Sequence, residues 1–287
     1  MTLHPKISVI LTCFNQGKYL KDSLGSVIGQ GWDNWECFVI DDGSLDDSLQ
    51  IAHSFAATDP RIHVISQPNS GVSAARNKGI SQVQGDLIQF LDGDDILKIG
   101  KWKKQVAIIQ ENPEIDLVYG PSRYFFDGKL DQLFPLHPNG AIPCDLTFRD
   151  SHQAEMIFRN NVCTNSALLM RRKVVESINF RMVIYEDWIF NLEAALKGFR
   201  FHFDSSHESL TLVRMTQNSQ MMQHTHQLTK MEDFKKLRWD LVNETGFPLD
   251  LRFIPEKRNS LTCKFKKVIR SITPPLIYDW AAKLKNR

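Results

Sequence analysis

The sequence predicts an α/β fold, a parallel sheet covered by helices on both faces. Two observations carry this reading. Over about 110 residues, four short runs rich in β-branched residues alternate with segments whose apolar residues recur at helical spacing. Each run is also followed by a polar cluster, as strands are where they meet a loop. Composition agrees: 287 residues, 42% hydrophobic and 24% charged, exclude disordered, collagen-like and coiled-coil classes. The length suits one large α/β domain with an appendage, or two small domains.

The first run, Ile7–Phe14, is a buried strand stopped by Asn15-Gln16-Gly17. Leu20, Leu24, Val27 and Ile28 then mark a helix that Gly29 and Gly31 end. Trp35–Ile40 is the second strand, closed by Asp41-Asp42-Gly43-Ser44. Ser44, with Asp47 three residues on, has the form of a capping box for a helix through Leu49, Ala52 and Phe55. Arg61–Ile65 is the third strand. After the turn Asn69-Ser70-Gly71, the residues Val72, Ala75, Gly79 and Ile80 make one face of a small-residue helix. Leu87–Leu91 is the fourth strand, ending in Asp92-Gly93-Asp94-Asp95. Ile99, Trp102, Val106 and Ile109 mark the next helix, with Pro113 just beyond it. From Tyr119 to Asn161 the pattern blurs under Pro121, Pro135, Pro138 and Pro143. It returns as a strand at Ser166–Met170, a helix within Glu186–Phe199 that ends at Gly198, and a strand at Phe199–Phe203.

Charge is unevenly placed. The chain carries +2 overall, which argues against nucleic acid as a partner. The stretch Lys257–Arg287 holds nine Lys/Arg and one acid, a net of +8, so residues 1–256 carry −6. That asymmetry points to an anionic surface met by the tail alone. Lys264–Ile272 and Leu276–Leu284, either side of Pro274-Pro275, read as short basic amphipathic pieces suited to peripheral contact with an anionic membrane, or to docking on the domain. The five cysteines (Cys13, Cys37, Cys144, Cys163, Cys263) are odd in number and lack CxxC spacing, so free thiols in a reducing compartment are expected. No stretch approaches the ~18 apolar residues of a membrane span, and a cytoplasmic protein is expected.

In an open α/β sheet, ligands bind outside the carboxyl ends of the strands. Thr12–Asn15, Asp41–Asp42, Asn69–Arg76 and Asp92–Asp94 all follow strands and should therefore share one rim. Asp92-Gly93-Asp94 sets two carboxylates two residues apart. At ~5 Å and an effective dielectric near 20 they repel by about 3 kcal/mol, which a hard divalent cation would relieve. A solvated turn is the alternative. Asp41-Asp42-Gly43-Ser44 can terminate a strand, or accept hydrogen bonds from a nucleoside. Arg76 offers a fork suited to a diphosphate, or to a salt bridge. Other enzyme classes fit poorly. The first turn lacks GxGxxG, no glycine-rich Arg-containing loop follows the first strand, and the DxD follows the fourth strand rather than the first.

These residues carry a resemblance. Ser8–Asn15, Tyr19-Leu20, Ser26-Val27, Gln30, Asp41–Ser44, Asp46, Asn69–Asn77, Gly79-Ile80, Phe90–Asp95 and Glu186-Asp187-Trp188 together resemble a family 2 glycosyltransferase, the large inverting group on the GT-A fold. The resemblance implies a mixed, mainly parallel, Rossmann-like sheet flanked by helices, with a C-terminal helical extension. Residues 1–215 would form the catalytic domain (1–118 the nucleotide-binding half, 119–215 the acceptor half), and 216–287 the extension with its basic tail. It implies a nucleotide-sugar donor, UDP-linked on family frequency, and a glycan or lipid-linked acceptor in cell-surface polysaccharide synthesis. Thr12 and Phe14 would flank the base, with Asn15 beside them, and Asp42 would bond it with help from Asp41. Asp92 would touch the ribose, Asp94 would ligate Mn2+ or Mg2+, and Arg76 would lie by the base or phosphates. Asp187, or less readily Glu186, would be the catalytic base, placed at a helix start where the macrodipole favours a charged carboxylate. Trp188 would pack either on an acceptor sugar or inside the helix layer. Many relatives carry Tyr-Arg-x-His beyond the base helix. Here Val213-Arg214-Met215-Thr216 puts Thr216 in the histidine slot, with His224 and His226 nearby and Arg214 left to reach phosphate. A catalytically dead sugar-nucleotide or glycan-binding protein is the alternative.

Overall fold

Strand β1 (Ile7–Cys13) is buried at all seven positions. A run apolar on both faces leaves no side for water, so helices must cover the sheet above and below. They do so in alternation: α1 (Gly17–Ile28), β2 (Trp35–Asp41), α2 (Ser48–Ala56), β3 (Ile62–Ser66), α3 (Val72–Ile80) and β4 (Leu87–Asp92). The computed structural model describes residues 4–133, 152–216 and 228–250. Beyond β4 come β5 (Ile96–Leu97), α4 (Lys101–Glu111), β6 (Leu117–Tyr119), β7 (Ser122–Phe126) and α5 (Gln153–Arg159). Then follow β8 (Leu168–Arg171), α6 (Arg172–Ser177), α7 (Glu186–Leu196), β9 (Phe201–Phe203), β10 (Thr211–Met215) and α8 (Leu228–Thr245).

The strands form a seven-stranded sheet in the order β3-β2-β1-β4-β8-β6-β9 and a three-stranded sheet in the order β5-β10-β7. β1 pairs in parallel with β2 and with β4, while β8 runs antiparallel to both β4 and β6, so the large sheet is mixed but mainly parallel. Register decides where the loops emerge. Thr12 stands beside Ile40 on one side and Asp92 on the other, which aligns the carboxyl ends of three strands in one row. Strand order reverses between β1 and β4, the switch point at which such sheets open a crevice.

One face of the sheet packs Leu20, Leu24, Trp35 and Trp102 against Val9 and Leu11. On the other, Phe90 meets the edges of Phe180 and Phe190, whose rings stack at 4.4 Å. The small-residue face of α3 has a steric cause: a Cβ on Gly79 would lie 2.3 Å from Ile10 Cγ2. α8 docks by Phe234, Leu241 and Val242, all buried, and by Arg238, whose guanidinium lies 4.8–5.2 Å from the rings of Phe158, Trp188 and Phe234.

The expected capping box is not formed. α2 begins at Ser48, too late for Ser44 to cap it. Asp46 does the work instead, accepting from Ser48 N at 3.0 Å and from Gly17 N at 2.9 Å, so one carboxylate joins the starts of α1 and α2. The blurred stretch after Tyr119 contains β7 and α5. Residues 134–151 fall outside the described residues, as do His224, His226 and the basic tail. Among the described residues, no helix is long and apolar enough to cross a membrane. Cys13, Cys37 and Cys163 are free and buried.

Candidate active site

A cavity of about 840 Å³ opens at the row of strand ends, within the ~300–1,000 Å³ range of small-ligand sites. β1 and its loop supply Thr12, Phe14 and Asn15; the end of β2 supplies Asp42; α3 supplies Arg76. Asp92 and Asp94 come from the end of β4, and Asp187 from the first turn of α7. These eight residues, all singled out in the sequence, therefore line one space. Thr216 lines it too, from the end of β10.

The loops are held by polar bonds that the sequence alone does not disclose. Asp41 is 1% exposed and accepts from Ser66 Oγ at 3.1 Å, so it braces the turn rather than facing the cavity. Asp42 accepts from Gln67 Nε2 (2.7 Å), Ser70 N (2.9 Å) and Gly71 N (2.8 Å), which shapes the loop into α3. Asn15 adopts φ 53°, donates its N–H to Ser44 Oγ and accepts from Leu45 N at 2.8 Å. Phe14 stands at the rim, 44% exposed. Tyr185, at φ 56°, is the other non-glycine residue with positive φ among the described residues, and it too lines the cavity. Strain of this kind gathers where a site over-determines the backbone.

Arg76 does not present an open fork. It is 3% exposed, and its two terminal nitrogens reach Asp92 Oδ1 and Glu186 Oε1, both at 2.7 Å. The residue expected at the phosphates thus ties the end of β4 to the start of α7. Arg214 is similarly engaged, donating to Asp22 Oδ2 (2.7 Å), Asp127 Oδ1 (3.3 Å) and the Asp94 carbonyl (3.1 Å). These bonds occupy the guanidinium that sequence reasoning left free for phosphate, and they anchor the backbone of the Asp92-Gly93-Asp94 turn. Gly93 is required there, since an added Cβ would stand 2.6 Å from Gln16 Oε1 and 2.9 Å from Cys13 Cβ. On its far side the turn is held by Ser23 Oγ, which donates to the Gly93 carbonyl at 2.8 Å.

Burial and the charge of Asp92 push the Asp94 carboxyl up to about 7. Burial, with Asp94 and Asp92 beside it, raises Asp95 well above the carboxylate range. Burial, with Glu186 alongside, pushes Asp187 up to about 7. Asn161 Nδ2 (2.9 Å) and Trp188 N (2.7 Å) donate to Asp187 and pull the other way. The helix terminus alone would keep this carboxylate ionised; desolvation outweighs it, leaving a proton acceptor matched to neutral pH. Trp188 donates Nε1–H to the Ile157 carbonyl and packs on Tyr185 and Phe234, so it belongs to the helix layer.

Among the described residues, no group of three or more His, Cys, Asp or Glu side chains converges as a closed metal cage. Two hard carboxylates on one turn, one with its proton affinity raised by its neighbour, still fit an Mg2+- or Mn2+-type ion. Such an ion takes most of its ligands from phosphate and water.

A model of the family described as Glycosyl transferase family 2 matches residues 8–178, more than half of the chain. The chain belongs to that family. A Haemophilus influenzae protein named an uncharacterized glycosyltransferase is 30% identical over 213 residues, covering 74% of this chain and 80% of that one. The Bacillus subtilis protein TuaG, a putative teichuronic acid biosynthesis glycosyltransferase by name, is 38% identical over 108 residues, 37% of this chain and 43% of that protein. Residues 1–349 of S. aureus TarS, solved with UDP-GlcNAc, match with a TM-score of 0.64 at 20% identity, over 86% of this chain and 68% of that one. That likeness speaks to the fold, and the glycosyltransferase has the GT-A architecture expected of it.

Sequence reasoning missed several groups that line the glycosyltransferase cavity: Gln16, Tyr19, Tyr124, Asp127, Thr164 and Asn165. Gln16 lies in the turn that stops the first predicted strand and could have been found there. Asp127 follows β7, a strand the prolines concealed. Nothing in the local pattern marks Thr164 or Asn165.

Proposed function

We propose that the protein is a metal-dependent, inverting glycosyltransferase. It moves a sugar from a UDP-linked donor to a hydroxyl of a glycan or lipid-linked acceptor in cell-surface polysaccharide synthesis. One observation carries the reading: the Asp92/Asp94 turn and a carboxyl poised near pH 7, Asp187, face the same cavity although Asp94 and Asp187 stand 93 positions apart in the chain. The names of TuaG and of the UDP-GlcNAc complex of TarS support the polysaccharide and UDP parts of the proposal.

In this reading Thr12 and Phe14 flank the base, and Asp42 and Asn15 shape the loops around it. Asp92, steadied by Arg76, accepts from the ribose. Asp94 holds the divalent cation, Mn2+ or Mg2+, which when bound would neutralise charge on the departing nucleoside diphosphate. Asp187 takes the proton from the acceptor hydroxyl as that oxygen attacks the anomeric carbon from the face opposite the leaving group. A single displacement needs one base and inverts the centre; a double displacement would need a nucleophile as well. Arg76 holds Glu186 aside, so the base role falls to Asp187. The +8 tail is proposed to meet anionic lipid on the cytoplasmic side.

The test is UDP release from a panel of UDP-sugars in Mn2+, with the product's anomeric configuration read by NMR. Turnover with inversion is expected, lost in Asp94→Ala and Asp187→Ala. Full turnover in either variant overturns its assigned role, and nucleotide binding without any turnover makes the protein a binding module.

A further inference from the structure

Asn165 opens the 3-10 turn Asn165–Ala167 that leads into β8, and it lines the active-site cavity. It is 2% exposed, and among the described residues neither Oδ1 nor Nδ2 of its carboxamide has a hydrogen-bond partner. Buried polar side chains nearly always have one. The other polar side chains of the segment each make at least one bond, though Asn161 Oδ1 is itself unpaired. Asn161 Nδ2 donates to Asp187 Oδ2, Thr164 Oγ1 lies 3.4 Å from Ser122 Oγ, and Ser166 Oγ accepts from Asp92 N at 3.2 Å. Residues 161–166 therefore run from the carboxyl at the start of α7 to the end of β4. On that short bridge, the one amide that lines the cavity is left unpaired.

We propose that the Asn165 carboxamide recognises the transferred sugar of the donor, accepting from one hydroxyl at Oδ1 and donating to the neighbouring oxygen from Nδ2. This rests on the nucleotide-sugar reading above. The chemistry of the group selects the ligand. A diphosphate only accepts, so it would leave Oδ1 unpaired, whereas adjacent sugar hydroxyls offer a donor and an acceptor together. Position agrees, since the base-flanking residues lie on β1 while Asn165 lies between Asp92 and the carboxyl that takes the proton. With no protein bond to break, the amide can turn into the cavity as the sugar arrives. Asn165 is thus a specificity residue of the sugar subsite.

The test compares the full-length protein with Asn165→Ala and the near-isosteric Asn165→Leu. UDP affinity is measured by calorimetry, and kcat/KM is measured for UDP-glucose, UDP-galactose and their 2-acetamido counterparts. UDP affinity is expected to stay within about twofold, while kcat/KM for the preferred donor falls about 10- to 100-fold and preference among donors flattens. Equal loss for UDP and for all four donors would mark a structural role and overturn the proposal, as would unchanged selectivity in both variants. A wild-type protein that binds no UDP and consumes no donor would instead sink the nucleotide-sugar reading, and this inference with it.

Discussion

Asp187 is pulled two ways, and both pulls are measurable. Its folded carboxyl titrates near 7, while in an unfolded chain it would titrate near the ordinary 3.8. Between those values the folded form binds the extra proton, so this group's contribution to stability falls as pH rises from about 4 to 7 and stays low above. Asp187→Asn should remove that penalty. Urea unfolding at pH 8 is expected to show the variant more stable than wild type, by up to about 4 kcal/mol, with the gap closed at pH 4. The same proton blocks catalysis by a base, so kcat/KM should fall about tenfold per pH unit below pH 7. Asn161 stabilises the charged form through its bond to Oδ2. Asn161→Ala should therefore move the acid limb to higher pH; a limb that stays in place would remove Asn161 from the account.

At the scale of elements, two glycines separate stability from function. Gly79→Ala drives a Cβ to 2.3 Å from Ile10 and wedges α3 off β1. It should cost about 1–3 kcal/mol in denaturant unfolding, with any loss of UDP affinity no larger than that loss of stability explains. Gly93→Ala meets Gln16, Cys13 and the Thr12 carbonyl, all next to the site, so it should displace Asp94 and lower turnover more than its loss of stability explains. The first four strands and their helices were legible because each is a long apolar or periodic run ending in turn residues. The second sheet was not. β5 has two residues, β7 follows Pro121, and β10 becomes a strand by pairing with both. Tertiary pairing, not local pattern, makes them. The misplaced capping box has a similar origin, because Asp46 serves α1 and α2 at once and no single-helix rule anticipates that.

At the scale of the molecule, parallel pairing of β1 with β2 and β4 turns three dispersed polar clusters into one rim, and that consequence was readable from topology alone. What was not readable is how the charges there neutralise one another. Arg76 and Arg214 bond carboxylates and a carbonyl of the protein itself, so the cavity keeps acids without an open cationic fork. A nucleoside diphosphate entering it needs a counter-charge, which the divalent cation that Asp94 would hold supplies. Calorimetry should accordingly show UDP binding that strengthens at least tenfold with Mn2+, and Asp94→Asn should lose that gain. The central claim is that Asp187 takes the proton from the acceptor hydroxyl while other residues hold the donor. It is tested most directly by turnover and UDP affinity measured together in Asp187→Asn. The account predicts kcat lowered by about 10²–10⁴-fold with UDP affinity unchanged; a variant that keeps its kcat, or that loses UDP affinity in proportion, would contradict it.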